Sequence, residues 1–170
     1  MPPAILSKPK IRAAAPSDAE QLCAIYNPYV LSSTITFEET AVTPADMAKR
    51  VREVQSASLP WLVATDAEEI MGYAYASPWK SRAAYKFSVE TAIYLRQGLH
   101  HAGIGSQLYG RLLEALKSCG MHAVIGGVAL PNDASLRLHQ KLGFEQIAHF
   151  KQVGFKQDRW IDVTYWQIIL

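Results

Sequence analysis

Apolar side chains recur every four residues at Ile104, Leu108, Leu112 and Leu116, a repeat that starts between the glycines Gly103 and Gly105. Such a repeat is one stripe of an amphipathic helix, here running to about Ser118. Before it, Phe87 to Leu95 is a long β-rich run, and after it Ala123 to Val128 reads as a buried strand. A strand, helix, strand unit follows, and the rest of the chain must be arranged around it.

The flanking segments carry their own punctuation. Ile11 to Ala14 is a short strand candidate, and Ser17 with Glu20 predicts a capping box ahead of Leu22, Ile25 and Tyr26 at helical spacing. Thr43 before Pro44 offers an N-cap and a first-turn proline to a helix with Met47, Val51 and Val54 on one stripe. Trp61 to Thr65 and Ile70 to Ala76 read as strands joined by a short acidic turn. Asn132 or Asp133 caps a short helix ending at Leu142, with Gly143 at its C′ position, before strands near Phe144 to Val153 and Trp160 to Ile169. The pattern predicts an α/β (α+β) fold, a mixed sheet of about seven strands with helices on both faces. No repeat or linker divides the 170 residues, so we expect a single domain over 1–170, with 1–9 a flexible N-terminus.

Seventeen Lys and Arg against fifteen Asp and Glu leave a net charge of +2, too small and too evenly spread for a nucleic-acid or anionic-membrane surface. Any anion site must be local. Cys23 and Cys119 are far apart and lack metal-ligand spacing, so we expect reduced core thiols and no metal site. No apolar run reaches the roughly 20 residues of a membrane span. Lys8, Lys10 and Arg12 follow the first apolar residues, the reverse of signal-peptide order, which makes the cytoplasm the expected location.

At the junction of strand and helix, the stretch from Arg96 to Ser106 brings unpaired backbone N–H groups and the helix dipole to one place. Phosphate oxygens are favoured there, and Gly103 and Gly105 allow close approach, although ordinary turn chemistry would use the same glycines. The loop has neither the GxxxxGK[ST] pattern nor GxGxxG with a following acidic residue, so a different phosphorylated ligand is required.

The spacing His100-x-x-Gly103-x-Gly105 resembles the pyrophosphate loop of the GCN5-related N-acetyltransferases (GNAT), with His100 and His101 where Gln and Arg are more usual. The segment Asn132 to Phe144, an Asn opening a helix that ends in Gly-Phe, is similar to a later segment of the same superfamily. Trp79 to Tyr85, Val89-Glu90, Leu130 to Asp133, Gly154 to Lys156, Trp160 to Val163 and Trp166-Gln167 resemble, more narrowly, phosphinothricin N-acetyltransferases. The likeness runs from about Ile11 to Leu170. It implies a GNAT fold, acetyl-CoA as co-substrate and a homodimer. It also implies acetylation of the α-amino group of phosphinothricin, methionine sulfoximine or a similar small amino acid. The implied cofactor contacts are Ile93, Tyr94 and Leu95 on the strand, His100, His101, Ala102, Gly103, Ile104, Gly105 and Ser106 in the loop, and Asn132 and Ser135 beyond.

A protonated amine cannot attack a thioester until it loses its proton, so a general base is needed. Glu90 is the candidate, a lone carboxylate in an apolar strand on one face with Ser88, Ala92 and Tyr94, unless it only faces a wet groove. Backbone N–H groups near Tyr94 and Leu95 would hold the thioester oxygen if a bulge or strand splay frees them. No GxSxG or Cys/His signature argues for a covalent acyl-enzyme, which leaves direct attack in a ternary complex. His139 stands where the superfamily often has a Tyr, either as acid toward the departing thiolate or as a packing residue. Lys80, Arg82 and Tyr85 suit an anionic substrate, with Arg82 able to form a bidentate clamp, or they are a solvated loop. Phe37 either walls the pocket or belongs to the core. Acetylation of another small amine or a peptide N-terminus uses the same machinery, and a catalytically silent CoA-binding regulatory domain needs no base.

Overall fold

The computed structural model describes residues 9–99 and 103–170. Seven strands, β1 (Lys10–Ala13), β2 (Trp61–Asp66), β3 (Glu69–Pro78), β4 (Ser88–Leu95), β5 (Ala123–Ala129), β6 (Glu145–Lys156) and β7 (Arg159–Ile169), form one sheet in the order β1-β2-β3-β4-β5-β7-β6. Four α-helices, α1 (Ala19–Ser32), α2 (Pro44–Ser56), α3 (Ile104–Ser118) and α4 (Asp133–Lys141), cover it. β4 and β5 run parallel through the α3 crossover, while the other neighbouring pairs are antiparallel. The mixed α/β sheet expected from the pattern is therefore present. The flexible N-terminus expected over 1–9 falls almost wholly outside the described residues.

Burial follows the apolar stripes. Leu108, Leu112 and Leu116 of α3, and Leu22, Ile25 and Val30 of α1, are all buried. α1 and α2 pack on the face that carries Tyr94, where the rings of Tyr26 and Tyr29 meet its ring. α3 and α4 pack on the other face, where Tyr109 bonds Thr91. Thr43 caps α2 by accepting from the Asp46 N–H, as expected. α4 is capped by Asn132, whose side chain accepts from the Ser135 N–H, and Gly143 turns the chain beyond it at φ +85°.

Two local expectations are corrected. The Ser17–Glu20 capping box does not form: a 3-10 turn over Pro16–Asp18 precedes α1, and Asp18 instead accepts from the Ala15 N–H and, at 2.8 and 2.9 Å, from the Arg12 guanidinium. Cys23 is buried, but Cys119 is exposed, because it closes α3 just before the left-handed Gly120 instead of facing the core.

Candidate active site

The site is created by where one pairing stops. β4 and β5 are joined only from Ser88–Ala123 to Thr91–Gly126; beyond that β4 follows β3 to Leu95 and β5 follows β7 to Ala129. The sheet splays, and a cavity opens from each face. On the Thr91 face, a cavity of about 190 Å³ is lined by Thr91, Ile93, Leu95, Tyr109, Asn132, Ser135, Leu138 and His139, with Tyr29, Ile35, Tyr94 and Gly127 also bordering it. On the Glu90 face, one of about 540 Å³ is lined by Glu90, Tyr94, Ile35, Thr36, Phe37, Phe150, Val153 and Tyr165. Ile35, Tyr94, Gly127 and Ala129 border both, so the two cavities meet between the strands.

Strand alternation determines which amides face the gap. The Arg96 N–H donates to Met71 of β3, which puts Tyr94 and Arg96 in the bonded set with β3 and turns Ile93 and Leu95 toward the splay. The Leu95 carbonyl is taken by the Tyr29 hydroxyl at 2.6 Å. The register between β3 and β4 is unbroken, so splay, not a bulge, frees these amides. Of Ile93, Tyr94 and Leu95, the backbone groups in the gap are those of the first and third.

Beside the Thr91-face cavity, where a Cβ on Gly105 would stand 3.4 Å from Leu95 and 3.7 Å from Leu138 of its lining, Gly103 takes φ +72° as the N-cap of α3, and no side chain caps that helix end. The N–H groups of Ile104, Gly105 and Ser106 are the uncommitted first-turn donors of an α-helix. A diphosphate fits this end: it is uncapped, its dipole is positive, and its glycines leave room. His100, His101 and Ala102 lie outside the described residues. Among the described residues no three His, Cys, Asp or Glu side chains gather as metal ligands.

Glu90 is half-buried, and no described residue gives it a hydrogen bond. Burial raises its affinity for a proton, and the charge of Lys80 pulls the other way. Lys80 itself is exposed, with its ammonium 4.8 Å from the Trp79 ring centre, and the Trp79 ring packs on Tyr165. Arg82 and Tyr85 are exposed in the segment around the 3-10 turn Ala83–Tyr85 and do not line either cavity. Phe37 does line the Glu90-face cavity.

His139 is on the opposite face from Glu90. It is 3% exposed and turns its Nε2–Cδ2 edge to Gly126, where a Cβ would collide with Nε2. Its Nδ1 is 2.8 Å from the Ser135 carbonyl, which can only accept, so Nδ1 carries a proton. Nε2 is 3.3 Å from the Tyr109 hydroxyl, which is 2.6 Å from Thr91 Oγ1. Burial lowers the proton affinity of the ring, which favours the neutral form, with Nε2 accepting from Tyr109. Tyr109 was not singled out by sequence reading: it sits one residue from Leu108 on the buried stripe and reads as core.

With this geometry in place, comparison with known proteins is informative. Residues 11–165 match the model of the acetyltransferase (GNAT) domain, and the chain belongs to that acetyltransferase family. The phosphinothricin N-acetyltransferase of Streptomyces viridochromogenes is 37% identical over 158 residues, covering 93% of this chain and 86% of that protein. The L-methionine sulfoximine/L-methionine sulfone acetyltransferase of Salmonella typhimurium is 32% identical over 160 residues, covering 94% of each. A phosphinothricin acetyltransferase from Sinorhizobium meliloti, solved in complex with AcCoA, superposes with a TM-score of 0.92 at 34% identity, over 96% of this chain and 89% of that one.

Proposed function

We propose that this enzyme transfers the acetyl group of acetyl-CoA to the α-amino group of phosphinothricin, methionine sulfoximine or a similar small amino acid. Transfer occurs by direct attack within a ternary complex. The observation that carries this reading is the meeting of two cavities through the splayed strands, with a carboxylate lining one and the first turn of α3 packed behind the Leu95 and Leu138 wall of the other. The family's donor supplies an activated thioester; the chain's own groups do the rest. The first-turn amides of α3, with His100, His101 and Ala102, hold the diphosphate, and Asn132 and Ser135 border the pantetheine path. Ile93 and Leu95 N–H groups face the thioester oxygen as charge develops on it.

Glu90 takes the proton from the amine, directly or through one water. Burial suits it to the task, since a carboxylate with raised proton affinity is a stronger base than one in water. His139 is the acid toward the departing thiolate only in its minor charged form, which burial makes a readier proton donor, Tyr109 then turning its hydroxyl to Thr91; in the favoured neutral form the ring accepts from Tyr109 and only packs. Lys80, Arg82 and Tyr85 attract the anionic end of the substrate, and Phe37 walls its pocket. The named relatives and Lys80 near Glu90 support a small anionic substrate. We also read the enzyme as a cytoplasmic homodimer. Exposed apolar side chains on β6 and β7, among them Ile147, Phe155 and Trp160, support self-association, and no described helix is long and apolar enough to cross a membrane.

The test is thiol release from acetyl-CoA across a panel of amino acids that includes phosphinothricin, methionine sulfoximine and lysine-containing peptides. Turnover of the first two is expected. Turnover of the peptides alone would overturn the small-substrate reading, and acetyl-CoA binding without any thiol release would mark a silent regulatory domain.

A further inference from the structure

The Glu90-face cavity is closed on its outer side by residues 33–42, a segment with neither helix nor strand that carries Ile35, Thr36 and Phe37. From α1 and α2 it is held by Tyr26, whose hydroxyl is 2.7 Å from Thr36 Oγ1, by Asn27, whose amide exchanges two hydrogen bonds with the Val42 backbone, and by Arg50, 2.8 Å from Glu38; the remaining tie comes from the hairpin on the other side. Lys156, the last residue of β6, is only 4% exposed, and its Nζ donates to the carbonyls of Val30 at 2.7 Å and Thr36 at 2.8 Å, residues 126 and 120 positions earlier. Val30 lies in the last turn of α1, where carbonyls have no intrahelical partner, so one ammonium satisfies the helix end and ties the segment that leaves it. Arg159, first residue of β7, reaches Thr34 Oγ1 at 3.4 Å.

Two further features place this hairpin against the segment. Gln157 and Asp158 connect Lys156 to its paired Arg159 with φ of +52° and +55°, the both-left-handed geometry of a two-residue I′ turn. That geometry keeps the two cations side by side on a twisted hairpin. Two residues before Lys156, a Cβ on Gly154 would lie 2.3 Å from the Phe37 ring, so the glycine is what lets Phe37 seat against β6.

We propose that the end of the β6–β7 hairpin is a clamp for the substrate cavity, with Lys156 as the positioning residue that fixes residues 33–42 and thereby the Phe37 wall. The inference rests on reading the Glu90-face cavity as the amino-acid site. A buried ammonium is costly unless its donors are used, and here one is used on the end of α1 and one on the segment that shapes the pocket, neither on a carboxylate.

The experiment compares the parent enzyme, Lys156→Met and Gly154→Ala. With the amino acid turned over best in the panel, both substitutions should raise its KM about tenfold or more while kcat and the KM for acetyl-CoA change little. A purely structural tie would lower the melting temperature with both KM values intact, and that result would overturn the clamp. Digestion by a Glu-specific protease reads the clamp without turnover. The parent should resist cleavage after Glu38 and Glu39, and Lys156→Met should be cut there; equal resistance would again overturn it. If the parent acetylates no amino acid yet the protease arm behaves as expected, the substrate reading fails and the clamp stands. Should Lys156→Met not accumulate, Gly154→Ala carries both arms, because it displaces Phe37 and keeps the charge.

Discussion

The cavity on the Thr91 face is walled mostly by regular elements, with Ile35 at its border, while the one on the Glu90 face takes Ile35, Thr36 and Phe37 from a segment without helix or strand. Around Thr91 most of the wall is α3, α4 and the two splayed strands, with Tyr29 of α1 and Ile35 at the border, and it offers a ligand backbone N–H, apolar surface and the polar side chains of Asn132, Ser135 and His139. Around Glu90, side chains from 35–37, β6 and β7 converge, tied by Lys156. A cofactor common to a family needs the first kind of wall, because helix ends and strand edges are set by the fold. A variable acceptor needs the second, because loops and hairpin tips can change without disturbing the core. In the proposed function chemistry occurs where the two meet, so substitutions on either side should separate into distinct kinetic classes.

The largest separation is expected at Glu90. Glu90→Gln keeps the shape and removes the proposed proton acceptor, so kcat should fall by about 10²–10⁴ near neutral pH, with acetyl-CoA affinity unchanged by calorimetry. Undiminished acetyl transfer across pH would remove the base from the Glu90 side and break the contrast between the cavities.

Neighbouring glycines of β5 sharpen the same contrast. Gly126 faces His139, and Gly127 faces Glu90 and Tyr165. A Cβ at 126 would come within 2.4 Å of the imidazole, which is fixed by Ser135 and Tyr109, so Gly126→Ala should cost about 1–3 kcal/mol in denaturant unfolding and raise the KM for acetyl-CoA. A Cβ at 127 would meet Tyr165 Cε1 at 3.4 Å and Glu90 Oε1 at 3.5 Å, ordinary contact distances. Gly127→Ala should therefore leave stability nearly unchanged and act on the amino acid's kinetics. Equal effects of both substitutions on both KM values would mean that the two faces are not separate sites.

Much of the Thr91 side was legible in the sequence, because its parts are local. The four-residue repeat of α3, the glycines before it and the Asn132 cap are each readable within one element. Glu90 was legible for the same reason, as an odd carboxylate in an apolar strand. What could not be read is register. That pairing ends at Thr91–Gly126, that Glu90 and His139 therefore lie on opposite faces, and that Tyr109 bridges Thr91 to His139 all depend on contacts between distant elements. Lys156 and Gly154 appeared only inside a family-like motif, since nothing near them in sequence tells what a lysine 120 residues away from Thr36 will hold. Arg82 and Tyr85 show the opposite limit. Their residue types suit an anion, but their exposed segment leaves them outside both cavities.

The smallest expected effect concerns the charge beside Glu90. A carboxylate whose proton affinity is raised by burial loses its base form at a higher pH than the usual carboxylate range, so activity should be full above that point and fall as pH drops through it. Lys80 opposes the shift by favouring the ionised carboxylate. Removing the ammonium must then raise the pKa further, and Lys80→Met should move the acid limb of kcat/KM to higher pH. Lys80 is exposed and its charge is screened, so the displacement should stay below about one pH unit, and added salt should move the parent's limb in the same direction. Arg82→Met is the control, because its charge is not among those acting on Glu90; its acid limb should coincide with that of the parent. If Lys80→Met leaves the limb in place while Arg82→Met moves it, the cation that tunes the base is Arg82, and the exposed segment must fold over the Glu90 face when substrate binds.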